Sequence, residues 1–468
     1  MTSANSNPDQ PASDSMQAPA AQKETKNTKR VTDLFLKALE AVSPEKAIHN
    51  AVQFDAVSGL LSVQDHTRQL EAEERIYIIG SGKAAASMAK AMQEIFGSRI
   101  ADGLVIAPAP GEGQPPLPKR IGPIQVLQGA HPLPDHNSLA ATYELLHLAR
   151  TIPKDATVFT LLSGGTSALL CMPDGELELE ELAATHQLLL NAGAGIHEMN
   201  RVRKSLSAVK GGRLLEVLSH TRLTDLVISD VPDDDFATIG SGPTTPGTID
   251  YQHAFTILKQ YGLWEEVPHE VRTHLARGMH EFPEGLTVPT PEGHRQVLVS
   301  SARILADEAG RLAENEGYHT AIHHPAYDAP IEEVEQTIRE DIDNTLSDKA
   351  SQSDRVCHIY YGESSVHVTG NGKGGRNQEL ALRLARHLKP GREVTILSAG
   401  TDGVDGPTDA AGAVVHQESL QEARERGLNP GEFLANNDAW SFFHRAGGHL
   451  KNGPTGNNLM DFQMVLIG

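Results

Sequence analysis

The chain has 468 residues, 39% of them apolar, with 61 Asp plus Glu against 40 Lys plus Arg and a formal net charge of −21. That length exceeds what one hydrophobic core sustains and predicts two domains, and the acidic balance excludes nucleic acid and anionic membrane surfaces as partners, because phosphate backbones demand a basic footprint. Small anionic substrates stay open, since a local basic cluster reverses the field inside a cleft.

The first thirty residues are rich in Ser, Asn, Gln, Pro and Ala and read as a disordered tail without the apolar stretch of a signal peptide. No later run approaches the roughly 18 apolar residues of a membrane span. The two cysteines, Cys171 and Cys357, offer neither a disulfide framework nor a metal spacing. A reducing, cytoplasmic setting is expected. After the tail, Thr32–Val42 has helical periodicity. From Arg75 a buried-strand run leads through Gly80-Ser-Gly-Lys into a helix reaching about Phe96. Further strand-like runs are Gly103–Ala107, Thr157–Leu162, Leu223–Ser229, Gln296–Ser300, Val356–Tyr361, Val366–Thr369 and Val394–Ser398. Helical patterns lie between them at Ser138–Arg150, Leu179–Gly193, Ala302–Glu316, Ile331–Lys349 and Asn377–Leu388. This alternation predicts an α/β fold of parallel sheets wrapped by helices. The Pro- and Gly-containing stretch from Glu281 to Gly293 is the best internal boundary.

In open parallel sheets ligands bind at the carboxyl ends of strands. Those ends carry Gly82 and Lys83, then Ser163, Gly164, Gly165, Thr166 and Ser167, then Asp230; in the second half they carry Lys373, Gly374, Gly375, Arg376, Asn377 and Glu379, then Thr401, Asp402 and Asp405. Glycine-rich turns that open helices leave backbone N–H groups for anions, and Asp clusters without a nearby lysine suit Mg²⁺ with substrate phosphates. Together these are the parts of phosphoryl transfer. Lys83 and Arg376 enter helices at their N-terminal ends, where the dipole disfavours a cation unless an anion is close. That position singles both out from surface residues. Asn200, Arg203, Ser207 and Lys210 have the spacing of one helical face in the densest basic patch of the chain. That face either holds a carboxylate or phosphate or is a solvated helix end. Asp402, Asp405 and Asp409 have a duller reading as turn formers beside Gly and Pro. The near-fingerprint Gly80-x-Gly82-x-x-Ala85 keeps a nicotinamide-dependent reductase as an alternative, although its ribose-binding position carries no carboxylate. A non-catalytic phosphometabolite sensor is a third reading.

In this order the motifs resemble the glycerate 2-kinase family, whose C-terminal part is the MOFRL-type domain. The matching stretches include Gly80-Ser-Gly-Lys-Ala, Gly129-Ala-His-Pro-Leu-Pro-Asp, Leu162-Ser-Gly-Gly-Thr-Ser, Asn200 through Gly212 and Ile228-Ser-Asp-Val-Pro. They continue with Gly374-Gly-Arg-Asn-Gln-Glu, Gly400-Thr-Asp-Gly-Val-Asp-Gly and Gly453-Pro-Thr-Gly-Asn-Asn-Leu-Met-Asp, which ends at Asp461 and where Asn457 stands in place of a commoner threonine. The resemblance implies a Rossmann-like N-terminal domain, here 31–285, and a C-terminal α/β domain, 290–468, with the MOFRL-type region at about 355–465. It places the active site in the cleft between them. It implies transfer of the ATP γ-phosphoryl group to D-glycerate, giving 2-phosphoglycerate and ADP with Mg²⁺. Lys83 and Arg376 look like the two basic residues tied to activity in that family. Asp230 or Asp402 would position Mg²⁺ or accept the hydroxyl proton. ATP and glycerate are the expected partners, with a homodimer as a possible assembly.

Overall fold

The computed structural model describes residues 25–111, 116–348 and 354–468. Most of the expected tail lies outside the described residues, but its end does not: Thr25 caps a helix, Lys26–Ala41, by accepting the Thr28 N–H on its side chain. The expected start at residue 32 is therefore too late.

The first sheet has seven strands in the order Arg295–Ser300, Arg222–Ile228, Thr157–Leu162, Ile76–Ser81, Ile100–Pro108, Ile124–Gly129 and Arg120–Ile121. All but the last pair in parallel. Alternate residues of the central strand serve opposite faces, as strand geometry requires. Ile76 and Ile78 pack with Met88, Met92 and Phe96 of helix Ala85–Phe96. On the other face, Ile79 packs with Leu145 and Leu146 of helix His136–Thr151. From the central strand the chain winds outward first to one side, then to the other. The switch point falls between Ile76–Ser81 and Thr157–Leu162, where doubly wound sheets bind ligands.

The second sheet runs His319–Ile322, Val356–Ser365, Asp461–Ile467, Val394–Gly400, Gly412–His416 and His449–Leu450, with Tyr327–Pro330 also beside Val356–Ser365. Here the expectation of parallel pairing holds only in part: His319–Ile322 and Tyr327–Pro330 lie parallel to Val356–Ser365, and the other pairs are antiparallel. The last strand lies antiparallel to both Val356–Ser365 and Val394–Gly400, so it separates the two strands that the helix Arg376–Ala385 joins. Residues 366–369, expected as a strand of their own, are irregular, because the preceding strand already runs on to Ser365.

The expected boundary at 285–290 also falls early. Arg295–Ser300 adds to the first sheet beside Arg222–Ile228, and the crossover to the second sheet begins with helix Ala302–Asn315. The N-terminal helix packs on that helix and on the second sheet, with Phe35 against Phe462 at 5.4 Å between ring centroids. Among the described residues no helix is long and apolar enough to cross a membrane.

Candidate active site

At the switch point, the turns after Ile76–Ser81 and Thr157–Leu162 lean on each other. The Lys83 N–H donates to the Gly164 carbonyl at 2.8 Å, and the Ala84 N–H donates to Ser163 Oγ at 3.0 Å. Gly82 has φ +133°, and a Cβ there would fall on Ser163 Oγ, so only glycine allows this approach. These contacts correct the reading of Gly82 as a phosphate cradle: the amides that a dinucleotide fold would aim at a pyrophosphate are already used. Ser163 and Thr166 are likewise internal. Both are buried, and Thr166 Oγ1 donates to the Ser81 and Ser163 carbonyls at 2.6 and 2.7 Å.

Gly164 and Gly165 differ. Among the described residues their N–H groups have no backbone or side-chain acceptor, and Gly165 sits in the left-handed region at φ +86°. Successive free amides in such a turn form an anion-binding concavity. A side chain at Gly164 would meet the Asp230 carboxylate, and one at Gly165 would meet His131 Cδ2 at 3.0 Å and Lys83 Cγ at 3.4 Å. Lys83, His131 and Asp230 therefore surround this turn. Burial pushes the Asp230 carboxyl up to about 6; Lys83 pulls it down and Glu363 raises it. Burial, then Lys83, hold the His131 imidazole below its ordinary value, which favours its neutral form.

Glu363 belongs to the other sheet. Its carboxylate pairs with Arg376 Nη1 at 2.5 Å, and Arg376 Nε pairs with Asp461 at 2.7 Å. Arg376 opens a helix whose cap residue, Gly375, has no side chain to accept the first amides. Asp405 accepts them instead: the Asn377 N–H at 3.0 Å and the Gln378 N–H at 2.9 Å. Asp461 is 1% exposed and also accepts from Asn377 Nδ2 at 2.7 Å. Burial pushes Asp461 up to about 7 against the pull of Arg376 and Asn377, and nearby Asp405 adds to the rise. The Arg376 guanidinium lines a cavity of about 670 Å³ together with Glu363, Asp328, Asp402 and Asp461.

Several expected ligand residues turn out to hold the scaffold. Thr401 is buried and donates to the Met460 carbonyl at 2.7 Å. Glu379 is buried and pairs with Arg383 at 2.9 Å. Asn377 donates through Nδ2 to both Asp405 and Asp461, and Asp405, although it lines the cavity, uses its carboxylate to hold the helix start. Gly374 faces Asn437 and Ala439, and Gly375 is pressed against Asp405, where a Cβ would overlap the carboxyl. Lys373 turns away to lie over the Trp440 ring at 4.1 Å.

The expected helical face from Asn200 to Lys210 is broken, because the helix Ile196–Ser205 ends before Ser207 and Lys210. Asn200 Oδ1 instead accepts from Ser241 Oγ at 3.0 Å, and Ser241 meets Ser167 Oγ at 2.9 Å. Lys210 is buried in the turn that follows and donates to the Ser167 and Leu170 carbonyls at 2.8 Å. Burial lowers its ammonium to about 8. Arg203 is half-buried, touches Asn200 Oδ1 at 3.4 Å, and has no carboxylate partner among the described residues.

Three site residues were not singled out from the sequence: His131, Glu363 and Asp461. His131 follows the strand Ile124–Gly129 directly, so the strand-end rule that located Lys83 reaches it too. Asp461 ends the last motif that carries the resemblance, a signal that could have found it, whereas Glu363 carries none.

The profile described as "Domain of unknown function (DUF4147)" matches residues 30–276, and that of the "MOFRL family" matches residues 356–461. A glycerate 2-kinase of Pyrococcus horikoshii is 34% identical over 432 residues, covering 92% of this chain and 95% of that one. The chain belongs to the glycerate kinase family. A human glycerate kinase is also 34% identical, over 486 residues, with 93% of this chain and 92% of that one covered. The crystal structure of the Thermotoga maritima glycerate kinase superposes with a TM-score of 0.82 at 33% identity, covering 94% of this chain and 99% of that chain. The family's two-sheet α/β architecture is thus the one in which Lys83 and Arg376 sit.

Proposed function

We propose that this protein is a glycerate 2-kinase, moving the γ-phosphoryl group of ATP to the 2-hydroxyl of D-glycerate. One observation carries the reading: Arg376, Glu363, Asp402 and Asp461 line one cavity beside the strand ends of the second sheet. Lys83, His131 and Asp230 at the switch point of the first sheet are assigned to the same cleft, a reading supported by the Glu363 charge being felt at Asp230. Phosphoryl transfer depends on positioning and on offsetting charge at the transferred group. Lys83 and the Gly164–Gly165 amides supply positive potential from one side and Arg376 from the other. His131, held neutral, hydrogen-bonds a phosphate oxygen or the substrate hydroxyl. Among the described residues no three-ligand metal cluster exists, and Mg²⁺ needs none, since it takes one or two carboxylates plus phosphate oxygens. Asp402, on the cavity wall, would hold Mg²⁺ with the nucleotide, and the ion would offset phosphate charge. ADP release from ATP and D-glycerate, with the product's phosphate position read by NMR, tests the assignment. Reduction of hydroxypyruvate by a nicotinamide cofactor without ADP release would overturn it.

Asp230 is assigned as the base that takes the 2-hydroxyl proton, because a carboxyl pushed up to about 6 lies near the working pH. A base must be deprotonated to act, so kcat/KM is expected to fall tenfold per pH unit below about 6. The nucleotide's terminal phosphate titrates in a similar range, so the comparison that matters is with Asp230→Asn. That variant should lose most turnover and also its distinct acid limb; an unchanged limb would remove Asp230 from the role.

Arg203 is assigned to the glycerate carboxylate. A partly desolvated guanidinium with no anion beside it is unfavourable by itself, and a charged hydrogen bond contributes about 1.5–3 kcal/mol. Arg203→Ala should raise KM for glycerate about 10–100-fold and leave KM for ATP nearly unchanged. Equal effects on both would place the residue in scaffolding.

A further inference from the structure

The opposite, amino edge of the first sheet holds another cavity, of about 250 Å³. The hairpin of Leu60–Val63 and His66–Gln69 closes over it. Its floor is apolar, made by the buried side chains of Leu61, Val63 and Phe159, and its rim carries Arg68, Arg222 and Arg295. One carboxylate answers these three guanidinium groups. Glu74 pairs with Arg68 at 2.9 Å and lies 3.7 Å from Arg222. The Arg295 side chain has neither hydrogen bond nor ion pair among the described residues. A positive rim is unexpected on a chain of net charge −21, and an apolar floor beneath it is not what a merely solvated arginine cluster needs.

We propose that this cavity binds a small organic anion, a carboxylate on an apolar body, with the carboxylate held by Arg222 and Arg295. The planar guanidinium fork matches a carboxylate in bidentate fashion, and an apolar wall with a few convergent polar groups is how small-molecule pockets fix orientation. The volume admits a single ring or a short branched chain and excludes a nucleotide. The site is separate from the kinase cleft. The strand Thr157–Leu162 starts at this cavity and ends at the Ser163 turn, and six residues of strand span about 20 Å. Arg222 likewise begins the strand whose far end leads to Asp230.

Isothermal titration of the full chain with benzoate tests the proposal. The controls are benzyl alcohol, which lacks the charge, and inorganic phosphate, which lacks the apolar body. Benzoate should saturate one site per chain, and the Arg222→Ala/Arg295→Ala double variant should weaken it at least tenfold. Arg376→Ala should leave it unchanged. Both substituted arginines are exposed at strand starts, and Arg68 remains to pair with Glu74. Unchanged circular dichroism and unchanged glycerate phosphorylation then show that the variant is folded. No saturable benzoate binding would overturn the proposal. So would binding lost in Arg376→Ala but kept in the double variant, or phosphate or benzyl alcohol binding as tightly as benzoate.

Discussion

Arg376→Ala and Lys83→Ala are each expected to lower kcat/KM for ATP-dependent glycerate phosphorylation roughly 10²–10³-fold, the usual effect of removing one preorganised charge-stabilising group. The two variants should differ in stability. Lys83 has no ion-pair or side-chain hydrogen-bond partner among the described residues and acts on Asp230 only through its charge, so its loss should cost less thermal stability than that of Arg376. Arg376 faces Asp461, which is almost fully buried. Removing the guanidinium leaves a carboxyl that burial already pushes up to about 7; without its cation it takes up a proton rather than remain charged. Arg376→Ala should therefore unfold more easily at pH 8 than at pH 6, relative to the parent. Sign and cause agree: the variant's folded state then binds a proton that the unfolded chain does not, and stability falls as pH rises. Arg376→Lys restores the charge without the fork that serves Glu363 and Asp461 together, and should recover only part of the rate. Near-normal turnover in both alanine variants would sink the proposed chemistry.

Lys83, Gly164, Gly165 and Asp230 could be read as candidates because they follow the carboxyl ends of strands, where apolar runs give way to turns; Arg376 was read from the glycine run that opens its helix, although the strand expected just before it is irregular. Asp461 was not singled out. The final strand runs antiparallel to its neighbours, so its first residue lies at the edge where the others end, with Asp461 opposite both Gly362 and Gly400. Strand direction is a tertiary property, and no strand was expected after Val394–Ser398, so nothing in the sequence tied Asp461 to the edge where Arg376 lies. Glu363 was missed for a related reason. The strand Val356–Ser365 is longer than its apolar run, so Glu363 sits within it rather than after it. The glycine-rich stretches misled in another way. Gly82 and Gly375 are small so that a neighbouring turn can approach, not so that phosphate can; composition alone does not separate those uses. The boundary error follows the same pattern, since nothing in the Pro and Gly content near 285 reveals that one more strand returns to the first sheet.

Asp405→Ala should be the most damaging single change away from the reacting groups. Its carboxylate takes the two backbone amides of Asn377 and Gln378, and also Gln378 Nε2 at 2.9 Å and Asn377 Nδ2 at 3.3 Å. The helix start it serves has a glycine cap with no side chain to substitute. Alanine would leave two buried backbone donors without acceptors, and each such group costs about 1–3 kcal/mol. A loss of roughly 2–4 kcal/mol in urea unfolding is expected, near the upper end for single substitutions. Activity should fall with it, because Arg376 is the first residue of that helix and Asn377 also holds Asp461. Asp405→Asn separates this positioning role from a direct role in catalysis. The amide keeps one acceptor oxygen, so stability and kcat should both recover part of the way. If Asp405 instead touched Mg²⁺ or a phosphate, the asparagine variant would unfold like the parent while its turnover stayed low. Burial, opposed by the four donated hydrogen bonds, leaves the Asp405 carboxyl above its ordinary value, and those four bonds are what assign it to holding the helix start.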